Sequence, residues 1–162
     1  MKIIILFFIT ILSFGIELPK EFSADFNQTI ISNNKKLIYK GKIFYNKGNI
    51  VWKYTYPTEK IIWILDKIYI YEPDLYQVTI TKRDKTTLNE IIKNAKKIKN
   101  NLYESTIKDK KIYFIYDRTL KKLYYTDDVG NKVKINFYNQ KKSVNKKAFD
   151  LKLPEDVDFI YR

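Results

Sequence analysis

The sequence predicts an α+β protein that is mostly β, with a large curved or barrel-like antiparallel sheet and one helix covering part of a sheet face. Most of the chain after residue 20 alternates apolar and polar residues with a period of two, which is typical of half-buried strands. Short polar turns separate these runs, and strands joined by short turns pair antiparallel because a parallel pairing needs a long crossover. One segment shows helical spacing instead.

The first predicted strand covers residues 22–30, where Phe22, Ala24 and Phe26 share one parity. Residues typical of turns separate the predicted strands at 33–36, 47–49, 72–74 and 128–131. Further strands are predicted at residues 37–46, 50–56, 59–65, 68–71, 75–81, 101–108, 111–116, 123–126, 132–139 and 149–153. Residues 86–99 are predicted to form an amphipathic helix, because Leu88, Ile91, Ile92, Ala95 and Ile98 recur at helical spacing.

The first fifteen residues have the pattern of a secretory signal peptide. Lys2 precedes an apolar run that ends at Ser13, Phe14 and Gly15. A membrane anchor needs about 20 apolar residues, and Glu17 cuts this run short, which disfavours an uncleaved anchor. We therefore expect residues 1–15 to be a cleaved signal peptide, and residues 16–162 to form one secreted, soluble domain.

The charge balance is strongly basic but lysine-rich. The chain carries 31 Lys and Arg residues against 18 Asp and Glu residues, for a formal net charge of +13. Arg83, Arg118 and Arg162 are its three arginines, whereas recognition of phosphate and guanine favours the arginine fork. We therefore expect no dedicated nucleic-acid partner, and interpret most lysines as solvated surface charge.

Two residue types that are common in catalytic and metal sites are absent. The chain has no histidine and no cysteine, which excludes the usual general base, the usual zinc ligands and the thiolate nucleophile. Its glycines are too scattered for a phosphate-binding loop. Asp127 and Asp128 are adjacent but precede Gly130 in a predicted turn, so we interpret them as structural. We expect no enzymatic activity, no cofactor and no metal site.

Aromatic side chains are abundant, with 14 Tyr, 10 Phe and 2 Trp. A well-filled sheet interior would also use them, and composition alone leaves that interpretation open. Their placement is more informative, because in the strand at 50–56 the residues Ile50, Trp52, Tyr54 and Tyr56 share one parity while Val51, Lys53 and Thr55 share the other. An aromatic wall of this kind suits an apolar ligand.

Several motifs together resemble one known family. They are Phe22-x-Ala24-x-Phe26-x-Gln28, Gly41-x-Ile43, Trp52-x-Tyr54-x-x-Pro57, Ile68-Tyr69-x-Tyr71-Glu72-Pro73-x-Leu75-x-Gln77-Val78, and Phe149-x-Leu151-x-Leu153-Pro154-x-x-Val157. In order and spacing they are similar to the periplasmic outer-membrane lipoprotein carrier family, LolA. The resemblance spans nearly all of residues 16–162.

The resemblance implies a half-open barrel whose concave face is roofed by helices, forming a cavity for the acyl chains of lipoproteins. Such a carrier collects lipoproteins from an inner-membrane transporter and delivers them to an outer-membrane receptor, without hydrolysing anything. We expect a periplasmic monomer. The residues expected to contact acyl chains are Phe26, Ile43, Tyr45, Trp52, Tyr54 and Tyr56.

Two departures from the family pattern affect the expected lid. The family carries an arginine just before the Trp-bearing strand, and Lys47 occupies that position here. We expect Lys47 to act as the lid latch at the cavity rim, more loosely than an arginine because an ammonium is a point charge. The segment 16–21 is short and contains Pro19, so the N-terminal helix of the family is expected to be short or missing.

Two other functions are consistent with the same residues. A lipid- or glycolipid-binding module of the same fold could sense or store its ligand, because fold does not determine function. A third hypothesis is a protein that binds polyanions through its lysines, and its binding would weaken steeply as the salt concentration rises.

Overall fold

The computed structural model describes residues 16–162, and the expected signal peptide lies outside the described residues. The described part of the chain forms twelve strands and one α-helix. They are β1 Glu21–Ser32, β2 Lys35–Asn46, β3 Asn49–Tyr56, β4 Lys60–Ile64, β5 Lys67–Glu72, β6 Gln77–Lys82, α1 Leu88–Lys93, β7 Lys96–Lys99, β8 Leu102–Ile107, β9 Lys110–Asp117, β10 Thr119–Thr126, β11 Lys132–Lys141 and β12 Asp158–Tyr161. None of the helices in residues 16–162 is both long and apolar enough to cross a membrane.

All twelve strands belong to one sheet, in the order β12-β6-β5-β4-β3-β2-β1-β11-β10-β9-β8-β7. Neighbouring strands pair antiparallel, apart from β12, which lies parallel to β6. The predicted fold class, a mostly β protein with an open curved antiparallel sheet, is confirmed.

The sheet curls around one of its faces, which we call the concave face. Ile64 of β4 and Phe114 of β9 belong to one hydrophobic core, although five strands separate β4 from β9 in the sheet order. The strand period of two places the core residues of each strand on this face. On β1 and β2 the buried members are Phe22, Ala24, Phe26, Ile43 and Tyr45, which confirms the alternation predicted for residues 22–30.

Residues 16–20 and α1 cover one end of the concave face, and we call them the lid. Leu18 and Ile92 are buried in the same core as the sheet residues. The hydroxyl of Tyr116 donates a hydrogen bond of 3.1 Å to the carbonyl of Glu17, which ties the N-terminal segment to β9. Residues 16–20 form no helix, in agreement with their short length and Pro19.

The predicted helix at 86–99 is too long. A capping box between Thr87 and Glu90 starts α1, but the helix ends at Lys93. Residues 96–99 instead form β7 and pair with β8, which satisfies backbone groups along an otherwise bare sheet edge. Ile98, which completed the helical pattern, is 49% exposed on this edge.

The strand predicted at 149–153 is also wrong. A 3-10 turn at Lys146–Phe149 and an irregular segment after it pack on the convex face instead. The indole nitrogen of the buried Trp63 donates a 3.0 Å hydrogen bond to the carbonyl of Ala148. Val157 joins Val78 and Ile80 in a second, smaller core. The last residues of this segment then form β12, which the sequence pattern did not predict.

Candidate functional site

The two ends of the curled sheet differ. At the lid rim, the β2–β3 turn, the β4–β5 turn and residues 83–87 meet the lid segments. At the opposite end, the open rim, lie the turns that follow β1, β3, β5 and β10. We call the concave face between the lid and the open rim the trough.

A cavity of about 220 Å³ lies in the trough at the open rim. Apart from Thr58, its lining residues have concave parity in the strand register. They are Gln28, Ile30, Tyr39, Tyr54, Thr58, Lys60 and Ile62. The cavity therefore combines two isoleucines and two tyrosine rings with an amide, a hydroxyl and an ammonium group, so apolar surface lies beside a few groups that can orient a ligand.

An aromatic cluster forms the floor between this cavity and the core. The ring of Phe26 meets Trp52 and Tyr54 edge to face, with centroid distances of 5.0 and 5.1 Å. Gly41 lies opposite Phe26, and a Cβ there would come within 2.9 Å of the Phe26 ring and 2.1 Å of the Lys53 carbonyl oxygen. Glycine at this position lets the Phe26 ring lie directly on the sheet.

The polar groups that line the cavity are neutral apart from Lys60, which is held in an ion pair. The hydroxyl of Tyr54 donates a hydrogen bond of 3.0 Å to Oε1 of the buried Gln28. Burial, with smaller contributions from Tyr125 and Tyr39, raises the pKa of Tyr54 to about 12. Burial also raises the pKa of Tyr125. These phenols remain protonated at neutral pH, so the trough presents hydroxyl groups and no phenolate charge.

Replacing Tyr54 with phenylalanine is expected to destabilise the protein by about 1–3 kcal/mol at pH 7, because Gln28 loses its buried partner. Above pH 10.0, the ordinary pKa of tyrosine, the unfolded chain ionises Tyr54 before the folded chain does. The contribution of this residue is therefore complete below pH 10 and is lost as the pH rises towards 12, by about 2–3 kcal/mol.

Urea denaturation at pH 7 and at pH 11 measures both effects, with about half of the alkaline loss, roughly 1.4 kcal/mol, expected at pH 11. Tyr161→Phe is the control, because the Tyr161 side chain is 73% exposed. If Tyr54→Phe loses as much stability between the two pH values as the wild type does, Tyr54 is not the source of the alkaline sensitivity.

The predicted acyl-contacting residues fall into two groups. Phe26, Ile43 and Tyr45 share the concave face as predicted, but they are buried in the closed core and Tyr45 stacks on Phe22. Trp52 and Tyr54 share the same face and are only half-buried. The register pairs Trp52 with Ile43 and Tyr54 with Gly41, so these five residues lie on one face of the sheet. Their contact with a ligand remains a prediction.

Tyr56 does not share that face. The pairing of β2 with β3 shifts between Gly41, opposite Tyr54, and Lys40, opposite Tyr56, which leaves Thr55 as an extra residue in β3. This bulge turns Tyr56 to the side of Lys40, whose ammonium lies 5.7 Å from the ring centroid. The ring is 52% exposed at the open rim. The strict alternation assumed for residues 50–56 is therefore wrong at its last residue.

Lys47 lies in the turn between β2 and β3 at the lid rim. Its backbone N–H donates a 2.8 Å hydrogen bond to the carbonyl of Lys20, so the backbone, rather than the ammonium, holds the N-terminal segment. Within residues 16–162, no hydrogen bond or ion pair of the exposed ammonium is found. A latch role for the Lys47 side chain stays a prediction without a contact to support it.

Arg83 makes the contacts that a latch requires. It lies between β6 and α1, and its Nη2 donates a 2.7 Å hydrogen bond to the carbonyl of Gly48. Its Nη1 donates to the carbonyl of Leu65 and, at 3.3 Å, to Oδ1 of Asn49. One guanidinium thus joins the segment that leads into the lid helix to two turns of the sheet.

Sequence reasoning missed Arg83. The available signal was its rarity, since it is one of three arginines in a lysine-rich chain and stands just before the predicted helix. A fork with several donors can hold carbonyls of two separate turns at once, which a lysine cannot do with defined directions.

Comparisons with known proteins agree with this architecture. Residues 18–100 match the family profile described as outer membrane lipoprotein carrier protein LolA. The outer-membrane lipoprotein carrier protein of Campylobacter jejuni is 32% identical over 144 residues, which cover 86% of this chain and 85% of the relative. The protein of the same name from Wolinella succinogenes is 32% identical over 124 residues, covering 73% of this chain and 72% of the relative.

A solved structure of an uncharacterized conserved protein from Thermus thermophilus shares the fold alone. Its TM-score is 0.57 at 10% identity, and the match covers 90% of this chain and 92% of that one. The family evidence comes from the profile and from the two sequence relatives. On that evidence, this chain belongs to the LolA family of outer-membrane lipoprotein carrier proteins.

Proposed function

We propose that the protein is a periplasmic chaperone that holds the acyl chains of lipoproteins in the trough and carries them from the inner to the outer membrane. The observation that carries this proposal is the half-buried aromatic floor of Trp52 and Tyr54 beneath a cavity that opens at one rim. Membership of the lipoprotein carrier family supports it independently.

The energetics favour a protected carrier. Burying a CH₂ group contributes about 0.8 kcal/mol, so an acyl chain crosses an aqueous compartment only inside an apolar site. The trough supplies such a surface, and burial raises the pKa of Tyr54 and of Tyr125, so both phenols stay neutral at physiological pH.

Loading requires the lid to move. The cavity of about 220 Å³ is smaller than the roughly 300–1,000 Å³ of typical small-molecule pockets. The rest of the concave face is filled by core residues such as Phe26, Ile43 and Ile92. We infer that this arrangement is the closed form of the lid, and that acyl chains displace the lid to reach Phe26, Ile43 and Tyr45.

The proposed route begins with cleavage of residues 1–15 and release into the periplasm. An inner-membrane transporter then loads the carrier, and an outer-membrane receptor unloads it. No catalytic step is needed, because transfer of the acyl chains from one apolar site to another breaks no bond.

Mass spectrometry of the material that copurifies with the protein from a periplasmic extract tests this function. Bound triacylated lipoprotein is the expected result. A bound glycolipid without protein would instead favour the sensing or storage module, and a polyanion without acyl chains would contradict any role for the trough.

A further inference from the structure

The β1–β2 hairpin extends beyond its neighbour β3. Strand β2 begins at Lys35, but its pairing with β3 begins only at Lys40, opposite Tyr56. Residues 35–39 of β2 therefore pair with β1 alone. At about 3.3 Å per residue, this part of the hairpin projects roughly 16 Å past the end of β3. We call residues 30–38 the hairpin tip.

The hairpin tip is apolar on both of its faces. Ile31, Leu37 and Ile38 are 46%, 45% and 41% exposed. Leu37 pairs with Ile30 on the concave side, whereas Ile31 and Ile38 lie on the convex side. A strand that packs one face on a core and turns the other to water needs apolar residues on one face only. The second apolar face has no partner in the described part of the chain.

The hairpin tip is continuous with the mouth of the trough. Ile30 lines the trough cavity, and it lies next to the exposed Ile31. Other turns of the open rim also expose large apolar side chains, with Tyr56 at 52%, Leu75 at 63% and Val129 at 81%. Scattered single exposures are normal, but a group at one rim marks an interaction surface.

Lysines surround the apolar residues of the tip. Lys36 and Lys132 are the cross-strand partners of Ile31, and Lys35 is adjacent in the turn. All three are exposed, and the ion pairs found within residues 16–162 do not involve them. Apolar side chains surrounded by lysines suit an anionic bilayer. The lysines can meet its negative headgroups while the apolar side chains reach the acyl boundary just beneath them.

We propose that the hairpin tip docks on an anionic lipid bilayer. Ile31, Leu37 and Ile38 enter the acyl boundary, while Lys35, Lys36 and Lys132 meet the headgroup phosphates. Strand β11 pairs with β1 as far as Ile31, so the tip is two-stranded only beyond that residue, and a bilayer that meets the tip end-on can cover both of its faces. The inference rests on the proposed carrier function for its purpose, since docking brings the open rim of the trough to the membrane and lets an acyl chain pass without crossing water.

Vesicle flotation at low salt tests this docking. The purified protein is mixed with vesicles of phosphatidylglycerol and phosphatidylethanolamine, or with vesicles of phosphatidylcholine alone. We expect binding to the anionic vesicles only, and a loss of at least tenfold in the double variant Leu37→Glu, Ile38→Glu. Ile98→Glu is the matched control, because Ile98 is 49% exposed among lysines on the opposite part of the sheet. It should bind as the wild type does.

The lysines are tested separately. Lys35→Gln and Lys36→Gln should each weaken binding about fivefold, since a lysine near an anionic surface contributes roughly 1 kcal/mol. Lys96→Gln on β7 should not weaken it. Equal losses at these sites would show that net charge alone drives the association, and would overturn the docking geometry.

A second measurement keeps the proposal testable if the glutamate variants do not fold. The chain has no cysteine, so Leu37→Cys and Ile98→Cys can each be labelled with one environment-sensitive fluorophore. Anionic vesicles should shift the emission to the blue at position 37 and not at position 98. No vesicle binding by the wild type, equal binding to phosphatidylcholine, unchanged binding by a folded double variant, or equal shifts at both labels would each overturn the proposal.

Binding of a fluorescent fatty acid, measured without vesicles, separates this inference from the carrier function. A protein that binds the fatty acid but no vesicle retains the proposed trough and loses the docking surface. A protein that binds vesicles through the tip but no fatty acid retains the docking surface and contradicts the acyl-carrying trough.

Discussion

Replacing Trp52 with glutamate is expected to weaken binding of a fluorescent fatty acid and of lipoprotein by on the order of 100-fold. Trp52 is half-buried in the floor of the trough, against Phe26 and 6.1 Å from the ring of Phe137. An acyl chain that covers this position would bury an uncompensated carboxylate, at a cost of several kcal/mol. Equilibrium titration with the fatty acid measures the loss.

Lys53→Glu is the matched control, because Lys53 is the next residue on the same strand and is exposed on the convex face. It should bind the ligand as the wild type does. Trp52→Phe keeps the site apolar and should retain binding within a few-fold. Trp63, the other tryptophan of the chain, reports whether each variant is folded. Equal losses in the Trp52→Glu and Lys53→Glu variants would place the ligand outside the trough.

Arg83→Met is expected to loosen the lid and to accelerate exchange of a bound fatty acid by roughly tenfold or more. The variant removes hydrogen bonds from a charged group to the carbonyls of Gly48 and Leu65. Bonds of this type contribute about 1.5–3 kcal/mol each, and losing them favours the open form of the lid. Stopped-flow displacement of the fatty acid by unlabelled competitor measures the exchange rate.

Two variants distinguish a latch from a general loss of charge. Arg83→Lys should exchange at an intermediate rate, because an ammonium cannot bridge both turns with defined geometry. Lys47→Met should exchange at the wild-type rate, since the hydrogen bond from Lys47 to the N-terminal segment comes from its backbone. If Lys47→Met accelerates exchange and Arg83→Met does not, the latch is Lys47 and the contacts of Arg83 are only structural.

The alternation of apolar residues predicted the sheet well where each strand has one buried and one solvated face. On β1, the alternate residues Phe22, Ala24 and Phe26 are buried, whereas the residues between them are not. The local sequence pattern and the tertiary packing therefore agree. Short turns also predicted the antiparallel order correctly.

Other elements depend on contacts that a local pattern does not contain. Residues 96–99 repeat the helical spacing of α1, but pairing with β8 holds them in a strand. The parallel pairing of β12 with β6 follows from the path of the C-terminal segment across the convex face, which sequence spacing does not reveal.

The candidate site also contains features that the local sequence pattern predicts and features that depend on tertiary contacts. The common face of Phe26, Ile43 and Trp52 follows from parity and register, so it could be predicted. The extra residue Thr55 places Tyr56 on the convex face instead of the concave face. The alternation of apolar and polar residues does not predict that bulge. Arg83 finds its carbonyl partners in two turns 18 and 35 residues away in the sequence, so its role emerges only from the folded chain.

Site-specific photocrosslinking tests the central claim, that the trough holds lipoprotein acyl chains, most directly. A photoreactive phenylalanine analogue is placed at Trp52 or at Lys53, and each variant is exposed to light in cells that are exporting lipoproteins. The proposed function predicts crosslinks to the acylated N-terminus of lipoproteins from position 52 and none from position 53. Crosslinks from position 53 alone, or crosslinks to lipoprotein precursors that have not yet been acylated, would contradict it.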